Sequence, residues 1–339
     1  ISESLTVILT TSPTPSAPST ELVDTILDSF CEYCPVLLAC RVVVILDTYE
    51  KVGPANRLKK GHVTAERAAT YPLYKENVKK VVLRRFGAKV GESPDSIMPM
   101  TAEKGQAEFG SWGTPEHPNT TAFTAWRTND RRVTFIEPTE RLGFGLAVRS
   151  ALRLVETPYV WIQQHDWSLA ASIPVESIVE VMRASEESAE KEKEKEELAL
   201  VRYVCLPSIR MLDYATSDHV QPYPALRRLT AALKRDFQPP LLSSSSSGSE
   251  AAVIPLTPLF FWHDKTHIAS TAHYLNRIFP SRLAMPRGAF IEDHIGQRAR
   301  NQMKDGVWKK WACWLYYPGE GKQVCLKHLH GRTWRGTEG

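Results

Sequence analysis

The chain has 339 residues, of which 42% are hydrophobic and 24% are charged. This length suits one large or two modest domains, and the apolar content is enough for a sizeable core. The 42 Lys and Arg residues are nearly balanced by 38 Asp and Glu residues, and a net charge of +4 is too weak to indicate nucleic-acid binding. No apolar run approaches the roughly 20 residues of a membrane-spanning helix. Because the chain begins at Ile1, an upstream signal or anchor remains possible.

The first part of the chain alternates buried strands with amphipathic helices. Leu5–Thr11 and Arg41–Leu46 are apolar runs typical of buried strands, and Asp47 follows the second of them. Helical spacing of apolar residues predicts one helix with Val23, Ile26, Leu27 and Phe30 on its inner face, and another with Tyr74, Val78, Val81 and Val82. Residues 87–130 lack periodicity and are predicted to form a long loop. This alternation favours a doubly wound α/β sheet.

The clearest strand-helix-strand unit lies between Arg131 and Trp167. Val133–Ile136 reads as a strand, and Tyr159–Ile162 reads as the next one. Between them, the helical face consists of Phe144, Val148, Ala151, Leu152 and Val155. Strands joined by a crossover helix are parallel, and ligands of such sheets bind at the carboxyl ends of the strands. We therefore expect a ligand near residues 163–166, Gln-Gln-His-Asp.

This unit resembles the nucleotide-sugar glycosyltransferases of the GT-A fold, especially the family-2-like group. The resemblance is carried by Gly143, Gly145 and Arg149, by the strand Tyr159–Ile162, and by the triplet Gln164-His165-Asp166. The family's metal motif is usually Asp-x-Asp, whereas this chain has Gln164 at the first position. The resemblance implies a GT-A-like, Rossmann-like, mostly parallel sheet flanked by helices, with a divalent cation (Mn²⁺ or Mg²⁺) at Asp166.

The same resemblance assigns residues to the nucleotide-sugar donor. Thr10 or Thr11 and Asp47 match positions that hold the base and ribose, and a carboxylate suits that task because it accepts hydrogen bonds. Arg149, Gln164 and His165 are further donor-site candidates. Asp47 has an alternative interpretation as a turn cap. The basic loop Arg57–Lys60 is either a diphosphate contact or a solvated surface.

The second part of the chain gives weaker patterns. Helices are predicted around Val175, Ile178, Val179 and Met182, around Ile268, Leu275 and Ile278, and around Ile295, Ala299 and Met303. Leu198–Leu206 and Leu256–Trp262 read as strands, and Trp311–Tyr317 with Gln323–Leu329 as a C-terminal hairpin. Residues 185–197 are predicted to be a charged surface segment, 213–250 to be loop-rich, and 241–250 to be of low complexity.

Two pairs of residues in this part are candidates for chemistry. Glu292 and Asp293 match the acidic pair from which inverting members of the family take their catalytic base. The alternative is that these acids merely favour a helix N-terminus. His328 and His330 resemble the late His that several GT-A enzymes supply to the metal, although a late His is often structural. Arg332 is an alternative diphosphate contact.

The six cysteines do not predict a zinc site. Cys31 and Cys34 have CxxC spacing, but no second CxxC or CxxH pair completes a zinc site. We expect ordinary buried thiols or disulfides at the cysteines, which are Cys31, Cys34, Cys40, Cys205, Cys313 and Cys325. The triplet Asn119-Thr120-Thr121 is a glycosylation sequon and mildly favours a secretory compartment.

Together these patterns predict a single GT-A-like domain, with a nucleotide-sugar-binding half (1–170) and an acceptor-binding, catalytic half (171–339). The predicted reaction is inverting transfer from a UDP- or GDP-sugar to a hydroxyl of a glycan or glycoprotein, with Asp293 as base. The resemblance favours a Golgi or secretory-pathway lumen, the cytoplasm being the alternative. A non-catalytic GT-A-like binding domain is the main competing hypothesis. A nucleotidyltransferase is disfavoured, because the loop after the first strand, Ser-Pro-Thr-Pro-Ser-Ala-Pro-Ser, lacks Gly and basic residues.

Overall fold

The computed structural model describes residues 1–54, 61–87, 99–114, 118–191, 200–239 and 253–336. Two predicted features lie outside these residues: the basic loop Arg57–Lys60 and the low-complexity segment 241–250. The charged segment 185–197 is described only as far as residue 191.

The strands in chain order are β1 (Leu5–Thr11), β2 (Arg41–Leu46), β3 (Lys51–Val52), β4 (His62–Val63), β5 (Met100–Gly113), β6 (Pro118–Thr128), β7 (Val133–Pro138), β8 (Tyr159–Gln164), β9 (Trp167–Leu169), β10 (Tyr203–Cys205), β11 (Arg235–Phe237), β12 (Ile254–Pro258), β13 (His267–Ser270), β14 (Cys313–Tyr316) and β15 (Leu326–His328). The helices are α1 (Glu21–Tyr33), α2 (Ala65–Phe86), α3 (Phe144–Leu152), α4 (Val175–Lys191), α5 (Pro224–Leu233), α6 (Thr271–His273), α7 (Gln297–Gln302) and α8 (Trp308–Trp311). Wide helical turns at Tyr274–Ile278, Glu292–Gly296 and Met303–Val307 extend α6 and α7.

The centre of the molecule is a parallel sheet, as the strand-helix-strand pattern predicts. Strands β8, β1, β2 and β7 lie side by side and pair in parallel. Their apolar runs are buried because helices cover the sheet: α3 packs on β1 and β2, and α2 packs on β2 and β7. The predicted inner face of α1, including Val23 and Phe30, is fully buried.

On both sides of this parallel centre the next strand is antiparallel, so that the whole is one sheet of mixed strand direction. Within the described residues the order is β11-β12-β14-β10-β13-β8-β1-β2-β7-β6-β5. Both halves of the chain contribute strands, and β13 joins them because it pairs antiparallel with both β8 and β10.

Several predicted elements are wrong, and the errors share a cause. Residues 100–113 and 118–128 form the paired strands β5 and β6 instead of a loop, because sheet pairing with β7 supplies the partner that local sequence does not reveal. Ile268 lies in the buried strand β13 rather than in the predicted helix. The segment 213–250, predicted to be loop-rich, contains α5 in its described part. The predicted C-terminal hairpin does not form either. Strand β14 pairs with β10 and β12, whereas β15 pairs with β9.

All six cysteines lie in the described part of the chain and are unpaired thiols, and five of them are buried. Among the described helices, none is both long and apolar enough to cross a membrane.

Candidate active site at the carboxyl end of the sheet

A cleft lies at the point where the strand order of the sheet reverses. From β1 the chain proceeds to β2 and β7 on one side, and then returns to β8 on the other side of β1. Such switch points leave a crevice outside the carboxyl ends of the two strands. The cleft has a volume of about 320 Å³. Predicted site residues that line it are Thr10, Thr11, Asp47, Gln164, His165, Asp166 and Arg332.

Asp47 holds the loop that enters α3. Its carboxylate accepts hydrogen bonds from the backbone N–H groups of Leu142 and Gly143, both at 2.8 Å, and from Thr48 at 3.0 Å. Burial raises the pKa of Asp47 to about 6, although these N–H groups oppose the shift. These contacts agree with the interpretation of Asp47 as a turn cap. Asp47 also lines the cleft.

Side chains at the ends of β1 and β8 are held in place by hydrogen bonds. Thr10 donates to the carbonyl of Gln163 at 3.4 Å, and the hydroxyl of Thr11 pairs with that of Tyr74 at 2.6 Å. Gln164 donates to the carbonyl of Asp264 at 2.8 Å. This wall of the cleft is thus preorganised by bonds to a neighbouring strand, to α2 and to the segment before β13.

At the other end of the cleft, Asp166 meets the C-terminal segment. Strand β15 pairs with β9 so that His328 lies opposite Trp167, and Nε2 of His328 is 3.2 Å from Oδ2 of Asp166. Burial would raise the pKa of Asp166, but the hydrogen bond from His328 and the charge of His165 outweigh it and lower the pKa. Asp166 is therefore ionised at neutral pH. The ring of His330 lies 4.4 Å from that of His328 and is exposed.

The structure thus brings together two of the three predicted metal ligands, Asp166 and His328, with His330 beside them. Over the ranges described, no three His, Cys, Asp or Glu side chains form a metal-binding cluster. A carboxylate and an imidazole nevertheless fit a cation that also binds substrate phosphates, because such cations are commonly held by one or two protein ligands plus phosphate oxygens.

The acidic pair Glu292 and Asp293 lies next to the cleft, following the cleft-lining Phe290. Oε1 of Glu292 is 2.9 Å from Nδ1 of His263 and accepts from the backbone N–H of Asp264 at 3.3 Å. Burial would raise the pKa of Glu292, but the hydrogen bond with His263 outweighs it, so the pKa is lowered. Asp293 is exposed.

Arg149 does not reach the cleft. Its Nη1 donates to the backbone carbonyl of Glu108 at 2.9 Å, on β5. Ala147 lines the cleft. Arg149 is two residues further along the helix, so its side chain leaves the helix axis about 200° around from that of Ala147, on the other face. The spacing of the family motif cannot reveal this, because it does not state which face of the helix meets the ligand.

Sequence reasoning missed two cations of the cleft, Arg67 and Arg141. Arg67 lies in the first turn of α2, and the buried Arg141 precedes α3. Nη1 of Arg141 lies 3.3 Å from a carboxylate oxygen of Glu50, and its guanidinium packs against Gly61 and Gly288, where a Cβ would approach it to 2.7 and 2.6 Å. No local pattern distinguishes Arg141 from a surface arginine, since its neighbours come from three distant segments.

Gly143 permits the close contact between two loops of the cleft. Its φ of 76° disfavours other residues, and an added Cβ would lie 2.8 Å from Cα of Gly288. The N–H of Gly288 also donates to the carbonyl of Leu142 at 2.8 Å. The loops therefore pack backbone against backbone.

We expect Gly143→Ala to destabilise the protein by about 2–4 kcal/mol, because strain at positive φ adds to a clash with backbone that cannot rotate away. Gly306→Ala is a matched control: Gly306 has φ of 87°, but an added Cβ meets nothing within 4 Å. Strain alone should cost that variant about 1–2 kcal/mol. Denaturant unfolding compares the two, and equal losses would contradict the close-contact argument.

The chain has a weak likeness to a solved structure, but no protein-family profile and no curated protein matches it. Among solved structures, the chain is similar to a mannosyltransferase from Pyrobaculum calidifontis in complex with GDP-Man and Mn²⁺, with a TM-score of 0.36 and 13% identity over 94% of this chain. The chain spans 58% of the length of that structure. A likeness of this size carries no inference about activity.

Proposed function

We propose that this protein is a glycosyltransferase that moves a sugar from a nucleotide-diphosphate sugar to an acceptor hydroxyl. The observation that carries the proposal is one cleft lined by Asp166 and Arg332 and also by Thr10, Thr11 and Asp47. His328 joins it through its contact with Asp166. An ionised carboxylate, imidazoles and cations suit a metal-bound diphosphate, whereas threonines and a partly satisfied carboxylate suit a ribose and a base.

In this proposal the donor is a UDP- or GDP-sugar whose diphosphate lies near Asp166. Asp166 with His328 or His330 would hold a divalent cation, which when bound offsets negative charge on the leaving diphosphate. Arg67, Arg141 and Arg332 line the same cleft, so their charges favour an anionic ligand.

The transfer step is proposed to invert the anomeric centre. An acceptor oxygen would attack the anomeric carbon from the face opposite the diphosphate, so that the new C–O bond forms as the bond to the diphosphate oxygen breaks. Asp293 would take the acceptor's proton. Glu292 is a weaker candidate because His263 and the N–H of Asp264 already bond to its carboxylate. It would instead orient the turn that carries Asp293.

The second candidate is a non-catalytic domain that binds sugars or proteins. It is favoured by one observation: Gln164 stands where the resembling family has an acid, and its amide is bonded to the carbonyl of Asp264. A domain of this kind is expected to bind no nucleotide in a metal-dependent way.

A panel of UDP, GDP and their sugars, each with and without Mn²⁺, tests the proposal by thermal unfolding. A ligand that binds only the native state stabilises it by roughly 2.7 kcal/mol at a hundredfold excess over its dissociation constant. We expect a Mn²⁺-dependent increase in Tm with one nucleotide. Absence of any shift across the panel would favour the non-catalytic domain.

The compartment and the acceptor also remain proposals. A Golgi or secretory-pathway lumen and a glycan or glycoprotein acceptor accord with the sequon at Asn119, which lies in β6. Release of a glycan from Asn119 of the native protein by an amidase would support the secretory location.

A further inference from the structure

A second cavity, of about 670 Å³, lies away from the proposed donor cleft. It opens between α3, the β5–β6 hairpin and residues 275–283. Its walls include Glu108, Arg149, Arg153, Leu275, Phe279 and Leu283. None of these residues lines the donor cleft, although α3 contributes to both: Phe144 and Ala147 line the cleft, whereas Arg149 lines the second cavity together with Arg153, which directly follows α3.

This cavity has more positive than negative charge. Arg149 is only 6% exposed, and its Nη1 is bonded to the carbonyl of Glu108 rather than to an acid. The carboxylate of Glu108 instead pairs with Arg153 at 3.1 Å. A third guanidinium, that of Arg282, is held by backbone carbonyls including those of Gly110 and Ser111. Glu108 is the one acid among the described residues of this wall.

The charge of Arg149 is poorly compensated where it lies. Burial lowers its pKa, and the neighbouring Arg153 lowers it further, against a smaller opposing effect of Glu108. A buried guanidinium is stabilised by an anion, and phosphate or carboxylate oxygens match its fork of N–H groups. An anion in the cavity would therefore supply the negative charge that the neighbouring side chains of Arg149 provide only in part.

The segment 275–283, which carries Arg282, also contributes apolar side chains to the cavity. Phe279 is buried, whereas the side chain of Leu283 is 68% exposed. Covering Leu283 with an apolar group would be favourable, because burial of a leucine side chain removes apolar surface from water. Apolar side chains beside guanidinium groups fit a ligand that has an anionic group at one end and an apolar group at the other.

We propose that this cavity binds an anionic amphiphile, specifically a phosphate monoester that carries a short apolar chain. Arg149 and Arg153 contact its phosphate, and Leu283 with Phe279 covers its chain. A phosphate is favoured over a carboxylate because its greater charge matches several guanidinium groups. The proposal is independent of glycosyl transfer.

Calorimetric titration of the full chain with hexyl phosphate tests this site. Arg153→Gln should weaken binding about tenfold, because a charge-assisted hydrogen bond is lost. The Arg153 side chain is 40% exposed, so this substitution leaves the core intact. Arg183→Gln is the matched control: Arg183 is likewise an exposed arginine in an ion pair, here with Glu180, but lies outside the cavity. It should bind hexyl phosphate as the natural protein does.

The apolar side chains of the cavity have their own test. Leu283→Ser should weaken hexyl phosphate about fivefold through lost apolar burial, yet leave binding of inorganic phosphate unchanged. The proposal is overturned if the natural protein does not bind hexyl phosphate, if Arg153→Gln binds as well as Arg183→Gln, or if Leu283→Ser weakens the binding of hexyl phosphate and of inorganic phosphate equally.

Discussion

Asp293→Asn is expected to abolish sugar transfer while leaving donor binding intact. Asn has nearly the same shape as Asp but cannot accept the acceptor's proton, and removal of a general base typically costs about 10²–10⁴-fold in rate. Because Asp293 is exposed at the start of its helical segment, the substitution should change stability little. The measurement is the rate of nucleoside diphosphate release from the donor identified by the binding panel, together with its dissociation constant.

Two further variants make this result specific. Asp305→Asn removes another exposed acid from the same helical region and should transfer at the natural rate. Glu292→Gln weakens the contact with His263 and should lower the rate less than Asp293→Asn does, because Glu292 is proposed to orient the turn. Full activity of Asp293→Asn would refute the base assignment, and a larger loss in Glu292→Gln would transfer that assignment to Glu292.

Asp166→Asn is expected to eliminate most metal-dependent nucleotide binding. Its carboxylate is the negatively charged group of the proposed cation site, and loss of groups that only orient metal ligands already costs about 10–100-fold in affinity. We therefore expect at least about 100-fold weaker binding of the nucleotide in Mn²⁺, with metal-free binding unchanged. Calorimetric titration with and without Mn²⁺ measures both.

The control is Asp218→Asn, an exposed acid outside the cleft, which should bind as the natural protein does. Combining Asp166→Asn with His328→Gln should cost less than the sum of the single losses, because the two side chains contact each other and would serve one cation. Mn²⁺-dependent binding that survives Asp166→Asn would contradict the metal site, and additive losses would separate His328 from it.

Local sequence patterns determine the centre of this fold. The bounds predicted for β1 and β2 match those of the structure, and β8 is longer than its predicted core only by Gln163 and Gln164. Apolar runs and helical spacing suffice here because each element buries the face that its own pattern defines. The carboxyl ends of parallel strands meet at one edge, so Asp47 and Asp166 were predictable neighbours of a common cleft.

The remainder was decided by contacts between distant segments. His328 reaches Asp166, 162 residues away in sequence, only because β15 pairs with β9 instead of forming a hairpin with β14. Arg149 lies on the far side of α3, and Arg141 enters the cleft between Gly61 and Gly288. Strand partners and helix orientation depend on which surfaces the whole chain can bury together. Local patterns therefore predict the edge of the sheet at which the cleft lies, whereas contacts between distant segments select the side chains that line it.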